Sequence, residues 1–512
     1  MIEHVFVVML ENRSFDHMLG FSALAGIDAK SGRPTTIDGL SGSEANVLAS
    51  GTRIPVAAGA DFVLSGDPGH DFDDVLEQLC GSGALYPDGR GTYPDINNSG
   101  FASRWAAKAP SMDPGIVMRG FRPDQLPVLH TLATEFAVCD HWFSSLPGPT
   151  WPNRLFVHAA SSAGLDDSPT TLQSVETLLE GYNFANGTIY GRLDASGLNW
   201  HIVEGDALPQ SLTLGGMVRS AIEGRFISMS QLAAQVNDPA FEDRYVFIEP
   251  NYGHVLLDGS NFKCGNSQHP LDDMTRGEKL LKDVYELVRN SPHWNRSLLI
   301  ITYDEHGGFF DHVAPPAAIS PNDGPRSSDY NRHNFDFTRL GVRVPAVVIS
   351  AYTSRGTIDH SVHDHSSVLA TLEKLYGLAP LTDRDRGAIG LDSLIPLAKP
   401  RMDAPTTLPM PAVSGIDDCE ELAEDRLAGA LGVAPRELTG AVDPALVGFL
   451  QVAVARELHL AAATSRDVDR AIDTERDRLL ETYHGITTKF DAVKYIHRVE
   501  QSYRAYRKSP LS

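Results

Sequence analysis

The sequence predicts an α/β protein: a three-layer α/β/α sandwich around a mainly parallel sheet, followed by a C-terminal helical region. Three observations carry that expectation. Val5–Leu10, Tyr245–Ile248, Leu298–Tyr303 and Val344–Ile349 are continuously apolar rather than alternating, as strands covered on both faces are. Gly277–Asn290 and Ser366–Tyr376 carry apolar residues at helical spacing and stand beside such strands. Beyond residue 414 the chain turns Ala-, Leu-, Glu- and Arg-rich with helical periodicity throughout.

Along the chain, the opening strand Val5–Leu10 runs straight into the polar segment Glu11-Asn12-Arg13-Ser14-Phe15-Asp16-His17. Residues 31–59 and 81–103 are rich in Gly, Ser, Asn and Asp and read as long loops over the core, a common home for function. The strand Leu298–Tyr303 likewise ends on a polar run, Asp304 to His312. Pro400, Pro405, Pro409 and Pro411 then interrupt any helix, so residues 399–414 form an extended linker. It divides a unit of residues 1–398 from a helical unit of residues 415–512. In the latter, Asp417–Leu431, Pro444–Ala463 and Asp467–Tyr483 read as helices, and the basic-aromatic tail 490–508 reads as a docking helix with a solvated face.

Composition removes partners. Among 512 residues, 43 Lys and Arg face 66 Asp and Glu, a formal charge of −23. Such a balance excludes nucleic acid held by phosphate neutralisation and a broad anionic-membrane face, though not a small phosphorylated substrate met by a local cation. No run is read as apolar over the ~20 residues of a transmembrane segment. The start lacks the basic stretch and small-residue cleavage site of a leader, so either the protein is cytoplasmic, the expectation taken here, or a leader has been removed. Cys80, Cys139, Cys264 and Cys419 form no C-x-x-C pair and read as buried free thiols.

Chemistry gathers in four segments. Glu11 and Asn12 follow one buried strand, and Asp304 and Glu305 another, where open α/β sheets place their ligands. Adjacent carboxylates at buried strand ends repel, so a cation must hold them, and an all-oxygen set suits a hard divalent ion. Thr150, in Leu146-Pro147-Gly148-Pro149-Thr150-Trp151-Pro152-Asn153-Arg154, is fixed in space by prolines. Its hydroxyl needs a cation or a base to attack, and Arg154 is placed to orient it; the plainer alternative is a helix cap. His70, His269 and His365 sit in polar company, and a histidine near neutrality is the natural donor to a leaving oxygen. The zinc-protease helix, the nucleophile elbow, the P-loop and the dinucleotide fingerprint are all absent from the sequence.

These segments resemble the bacterial phosphoesterase family that contains non-haemolytic phospholipases C and a group of acid phosphatases, within the alkaline phosphatase superfamily. Glu11–His17, Pro147–Thr150 with Pro152–Arg154, Glu249-Pro250, Gln268-His269-Pro270, Tyr303–Val313 and Asp364-His365-Ser366 occur in the family's order over residues 2 to about 378. The resemblance implies one divalent metal (Ca, Mg, Mn or Zn) on Glu11, Asn12, Asp304 and Glu305. It implies Thr150 as a nucleophile forming a phosphothreonine, and His70, His269 and His365 as phosphate-holding or proton-donating groups. It implies hydrolysis of a phosphoester, most directly phospholipase C-type cleavage of a phospholipid, with a phosphomonoesterase as the alternative. A metal-stabilised binding protein without catalysis is the third reading. Thr150 and Arg154 echo the sulfatase pattern, but threonine cannot supply the sulfatases' aldehyde, which favours phosphate esters. Trp105, Trp142 and Trp151 are candidates for an aromatic cage around a choline head. The C-terminal helices are expected to form an oligomer interface or a lid.

Overall fold

The computed structural model describes residues 2–87, 92–170, 181–253, 264–324, 330–416, 442, 444–463, 465 and 467–508. The helix expected over 417–431 lies outside them. Ten strands form one sheet. They are β1 (His4–Leu10), β2 (Ala25–Asp28), β3 (Pro34–Thr36), β8 (Ala137–Cys139), β9 (Trp200–Val203), β10 (Phe226–Ile227), β11 (Tyr245–Ile248), β12 (Ser297–Tyr303), β13 (Ala346–Ser350) and β14 (Thr357–Asp359). Two small ladders, β4 (Ala45–Val47) with β5 (Arg53–Pro55) and β6 (Ala57–Ala58) with β7 (Arg119–Gly120), punctuate the loops between them.

The sheet order is β10-β9-β11-β1-β12-β13-β8-β14-β2-β3. Six of its nine neighbouring pairs are parallel, and three are antiparallel. Every residue of β1, β12 and β13 is buried, which requires cover on both faces and accounts for their unbroken apolar runs. The expected mainly parallel sheet is present. Its one central exception is β13, which runs against both β12 and β8.

Residues 399–414 have no regular structure, but they form a strap rather than a free linker. Tyr285, Arg289 and Lys282 of the helix Met274–Arg289 donate hydrogen bonds to the carbonyls of Pro405, Ala404 and Leu408, and Ala404 and Leu408 are buried. The prolines deny this stretch helix or strand bonding, so neighbouring side chains satisfy its backbone instead.

Among the described residues three helices follow: Pro444–Ala463, Val468–His484 and Lys489–Arg507. Leu450, Val454, Leu458, Val493 and Ile496 share one hydrophobic core with Val7 and Phe247 of the sheet. The stretch Leu446–Ala463 is long and apolar enough to cross a membrane by length and composition, against the sequence expectation, yet 78% of it is buried inside the fold. Its apolar all-round surface is that of an inner helix, wrapped by the other two. Cys80 and Cys139 are free thiols as expected. Cys264 is disulfide-bonded, which corrects the free-thiol reading for that residue.

Candidate active site

The site lies beyond the carboxyl ends of β1 and β12, which are adjacent and in register from His4–Ser297 to Leu10–Tyr303. That register delivers Glu11-Asn12 and Asp304-Glu305 side by side. Asn12 takes a left-handed conformation, φ 59°, and so turns its amide back over the strand ends. The backbone N–H of Asn12 donates to Asp304 Oδ1 (2.9 Å), and its side-chain amide donates to Glu305 Oε1 (2.6 Å). Gly307, at φ 63°, passes so close that a Cβ there would lie 2.2 Å from the Asn12 carbonyl oxygen, so glycine is required.

All four members of the set are buried, and Glu11, Asp304 and Glu305 bring three carboxyls into one place. Burial, reinforced by the charge of Asp304, holds the Glu11 carboxyl well above its ordinary range. Burial also raises Asp304 to about 7, with Arg154 opposing and Glu305 adding. Glu11 Oε1 accepts from Gln210 Nε2 (3.1 Å) and the Ser267 hydroxyl also stabilises the carboxylate, but among the described residues Glu11 Oε2 has no partner in hydrogen-bond geometry. An orphaned carboxylate oxygen among repelling carboxyls is the mark of a cation site, and oxygen donors of this kind fit a hard divalent ion.

Three tighter carboxylate–histidine groups lie elsewhere and contrast with it: Cys139–Asp359–His363, Asp140–His141–His360 and Asp16–Asp311–His312. Each is already satisfied. Arg343 pairs with both Asp16 (3.0 Å) and Asp311 (2.8 Å), His360 Nδ1 lies 2.8 Å from Asp140 Oδ2, and His363 Nε2 lies 2.8 Å from Asp359 Oδ2.

Thr150 is the first residue of the helix Thr150–Ala159. It does not cap that helix, because Pro149 holds the cap position and no side chain caps it. Its hydroxyl instead donates to Asn12 Oδ1 (3.5 Å), and so it faces the Glu11, Asn12, Asp304 and Glu305 group from the positive end of a helix dipole. One turn on, the buried Arg154 reaches Asp304 Oδ2 (3.4 Å) with Nη1 and the Tyr252 hydroxyl (2.7 Å) with Nη2. Tyr252 in turn donates to Glu249 Oε2 (2.6 Å), and Glu249 is anchored by the backbone N–H groups of Gln210 and Ser211.

The three histidines separate. His70 places Nε2 3.5 Å from Asn12 Nδ2, and its Nδ1 lies 2.9 Å from the Pro68 carbonyl. Burial works against its positive charge, but Glu305, Asp67 and Asp71 outweigh burial and raise it to about 9. His269 is 3.8 Å from Asp67 through Nε2, and burial lowers it to about 3, with His70 and Arg13 adding to the fall. His365 lies behind the site: Nε2 is 2.7 Å from the Asp304 carbonyl oxygen, and Nδ1 accepts from the Trp142 indole (3.3 Å). Both ring nitrogens are therefore spent on support.

Trp142 thus serves His365 and stacks on His363, Trp105 donates to the Asp113 carbonyl, and Trp151 packs edge-on against Phe449. The three tryptophans are each used in separate packing. Sequence reasoning missed Asp67, Gln210 and Tyr252 as site residues. Asp67 and Tyr252 lie within three residues of quoted motifs, whereas Gln210 has no local signal.

Comparison with known proteins agrees with this geometry. The Phosphoesterase family model matches residues 2–379. Non-specific phospholipase C3 of Arabidopsis thaliana is 38% identical over 439 residues, covering 81% of this chain and 78% of its own length. Phospholipase C B of Mycobacterium tuberculosis is 26% identical, covering 74% of each chain. A solved structure of a protein in the alkaline phosphatase superfamily from Vibrio parahaemolyticus is 12% identical and covers 52% of this chain and 65% of its own, with a TM-score of 0.29. With a buried carboxylate set, a hydroxyl facing it and a family match over the whole sheet-bearing region, the chain belongs to the phosphoesterase family and is a phosphoric ester hydrolase.

Proposed function

We propose that this enzyme cleaves phospholipids in the manner of a phospholipase C, with Thr150 forming a phosphothreonine intermediate. The observation that carries the reading is the Thr150 hydroxyl aimed at Asn12 Oδ1 beside the orphaned Glu11 Oε2. The names of the relatives support the substrate class, since both curated relatives above are phospholipases C.

Glu11, Asn12, Asp304 and Glu305 would hold one divalent ion, which would supply charge neutralisation for the attacking hydroxyl and the phosphate. The chain's own groups do the rest. The helix beginning at Thr150 presents its N-terminal dipole to the phosphate, as such ends do for anions. Arg154, locked between Asp304 and Tyr252, balances the carboxyls without leaving its place. His70, held protonated by Glu305, Asp67 and Asp71, hands a proton to the leaving alcohol, and His269, on the Asp67 side, holds a phosphate oxygen. His365 fixes the Asp304 backbone and so acts as a positioning residue.

The test is hydrolysis of p-nitrophenyl phosphorylcholine and p-nitrophenyl phosphate side by side, with and without chelator, followed by acid trapping of the enzyme. Diester cleavage lost with chelator, and a trapped phosphoryl group on Thr150, are expected. A phosphoenzyme that survives Thr150→Ala would assign the nucleophile elsewhere, and preference for the monoester would replace the phospholipase reading.

A further inference from the structure

Where the last helix, Lys489–Arg507, closes over the carboxyl ends of β9, β10 and β11, it leaves a cavity of about 460 Å³ that touches no member of the metal set. That size and that place, beyond parallel strand ends, are those of a small-molecule site. Acidic groups lie at its base: Glu204 and Asp206 follow β9, and Glu500 comes across from the helix. Basic groups lie at its rim: Arg504, Arg507 and Lys508, from the helix's last turns.

Most of these charges are already used. Glu204 accepts from Arg456 (2.6 Å) and from the Tyr503 hydroxyl. Asp206 accepts from the backbone N–H groups of Leu208 (2.7 Å) and Tyr252 (2.6 Å). Glu500 is different. It is only 7% exposed, accepts no side-chain hydrogen bond among the described residues, and has its nearest ion-pairing nitrogen at 3.9 Å, on His497. Burial and the neighbouring Asp206 raise its carboxyl to about 7, against the pull of Arg504 one turn along the helix. A buried carboxyl left without donors costs free energy that a bound ammonium would recover. At the rim, Arg504 and Lys508 are exposed and have no ion pair among the described residues.

One buried acid below that accepts no side-chain hydrogen bond among the described residues, and two exposed cations above, complement a zwitterion that carries an ammonium at one end and a phosphate at the other. The kind of ammonium follows from Tyr503. A quaternary ammonium wants an open aromatic face, but the Tyr503 ring already has the Arg456 guanidinium 3.9 Å from its centroid. The carboxyls of Glu500 and Asp206 instead accept N–H donors, which a primary ammonium brings in greatest number and a quaternary one lacks. We propose that this cavity binds an ethanolamine phosphate group, its ammonium on Glu500 and Asp206 and its phosphate on Arg504 and Lys508. The proposal deepens the phospholipase C reading, since that chemistry belongs both to a lipid head and to the product freed from it.

The test uses the full chain in chelator, so that metal-dependent phosphate binding and hydrolysis are silent. Ethanolamine phosphate, choline phosphate and inorganic phosphate are titrated calorimetrically into the wild type, Glu500→Gln and Arg504→Gln. Saturable ethanolamine phosphate binding, at least tenfold tighter than choline phosphate and weakened at least tenfold by each substitution, is expected. Absence of binding at millimolar ligand, equal affinity for the choline compound, or wild-type affinity in Arg504→Gln overturns the proposal. Arg504 is on the surface, so that variant folds even where Glu500→Gln does not. Cosedimentation with phosphatidylethanolamine vesicles then separates the sources. Loss of vesicle binding in Arg504→Gln assigns the lipid head, and loss confined to the soluble compound assigns the product. A holoenzyme inert on diesters would remove the phospholipase reading and leave this binding measurement intact.

Discussion

The inner C-terminal helix is packed against Trp151, the residue that follows the proposed nucleophile Thr150, and a single added methyl tests whether that packing matters. A Cβ built on Gly448 would lie 2.1 Å from Trp151 Cε2, 2.2 Å from Cζ2 and 2.4 Å from Nε1. Ordinary contact begins at 3.4 Å, so the indole must retreat by about 1.3 Å or the helix must lift by as much. Two effects oppose each other in Gly448→Ala. Helix propensity favours alanine by about 1 kcal/mol in a helix interior. Overpacking a closed core costs about 1–3 kcal/mol, and here the obstacle is a rigid ring that is itself 5% exposed and wedged against Phe449. The clash should win, giving a net loss of about 1 kcal/mol where Gly→Ala in a free helix would stabilise. Because Trp151 is the neighbour of Thr150, a displacement near 1 Å should also cost up to roughly 100-fold in kcat with a smaller change in KM. The assay is urea unfolding together with kcat and KM on p-nitrophenyl phosphorylcholine, for Gly448→Ala, Trp151→Phe and the double variant. Trp151→Phe makes room, so the double variant should recover stability and show a coupling energy of about 1 kcal/mol or more. Gly448→Ala with raised stability and unchanged kcat would refute the argument, since the helix would then not be bearing on Trp151.

Four shorter expectations follow. Asp304→Asn should lose bound metal and activity together, read by metal analysis and turnover; full activity in that variant would remove Asp304 from the metal set. Thr150→Ser should keep measurable turnover while Thr150→Ala should not, and equal rates in the two would dismiss the hydroxyl. Glu278, fully buried at the start of the helix Pro127–Glu135 and bonded to the N–H groups of Val128 and Leu129, is raised by burial from 4.5 to about 7. A raised folded-state pKa gives stability that is full below pH 4.5 and lost as pH climbs through 7, on the order of 3 kcal/mol; Glu278→Gln should be less stable at pH 4.5 but flatten that slope, and an unchanged slope would exclude Glu278 as its source. Alkylation of the denatured, unreduced chain should label Cys80 and Cys139 but not Cys264; a labelled Cys264 would overturn its disulfide.

What the sequence made legible is what a strand end and its next residues can encode. Glu11-Asn12 and Asp304-Glu305 each follow a buried run, and the parallel β1–β12 register brings the two pairs together without further information. The place of Thr150 at a helix start was legible for a similar reason, because prolines fix that start. Direction was not legible: β13 is as apolar as its neighbours, and nothing in an apolar run says that it lies antiparallel. Orientation of single rings was not legible either, so His365 looked like a proton donor until both its nitrogens were found bonded to Asp304 and Trp142. The greatest gap is at the C-terminus. Read alone, Pro444–Ala463 is an apolar helix without a stated partner, and Gly448 is a weakness in it. Set beside Trp151, that glycine becomes the condition for close approach, and Phe449 next to it touches both Trp151 and Tyr252. The helix therefore presses on the neighbour of Thr150 and on the tyrosine that holds Arg154, and residues some 300 positions apart in the chain meet beside one hydroxyl. Local pattern names the groups that do chemistry; their placement is set by contacts that no local pattern contains.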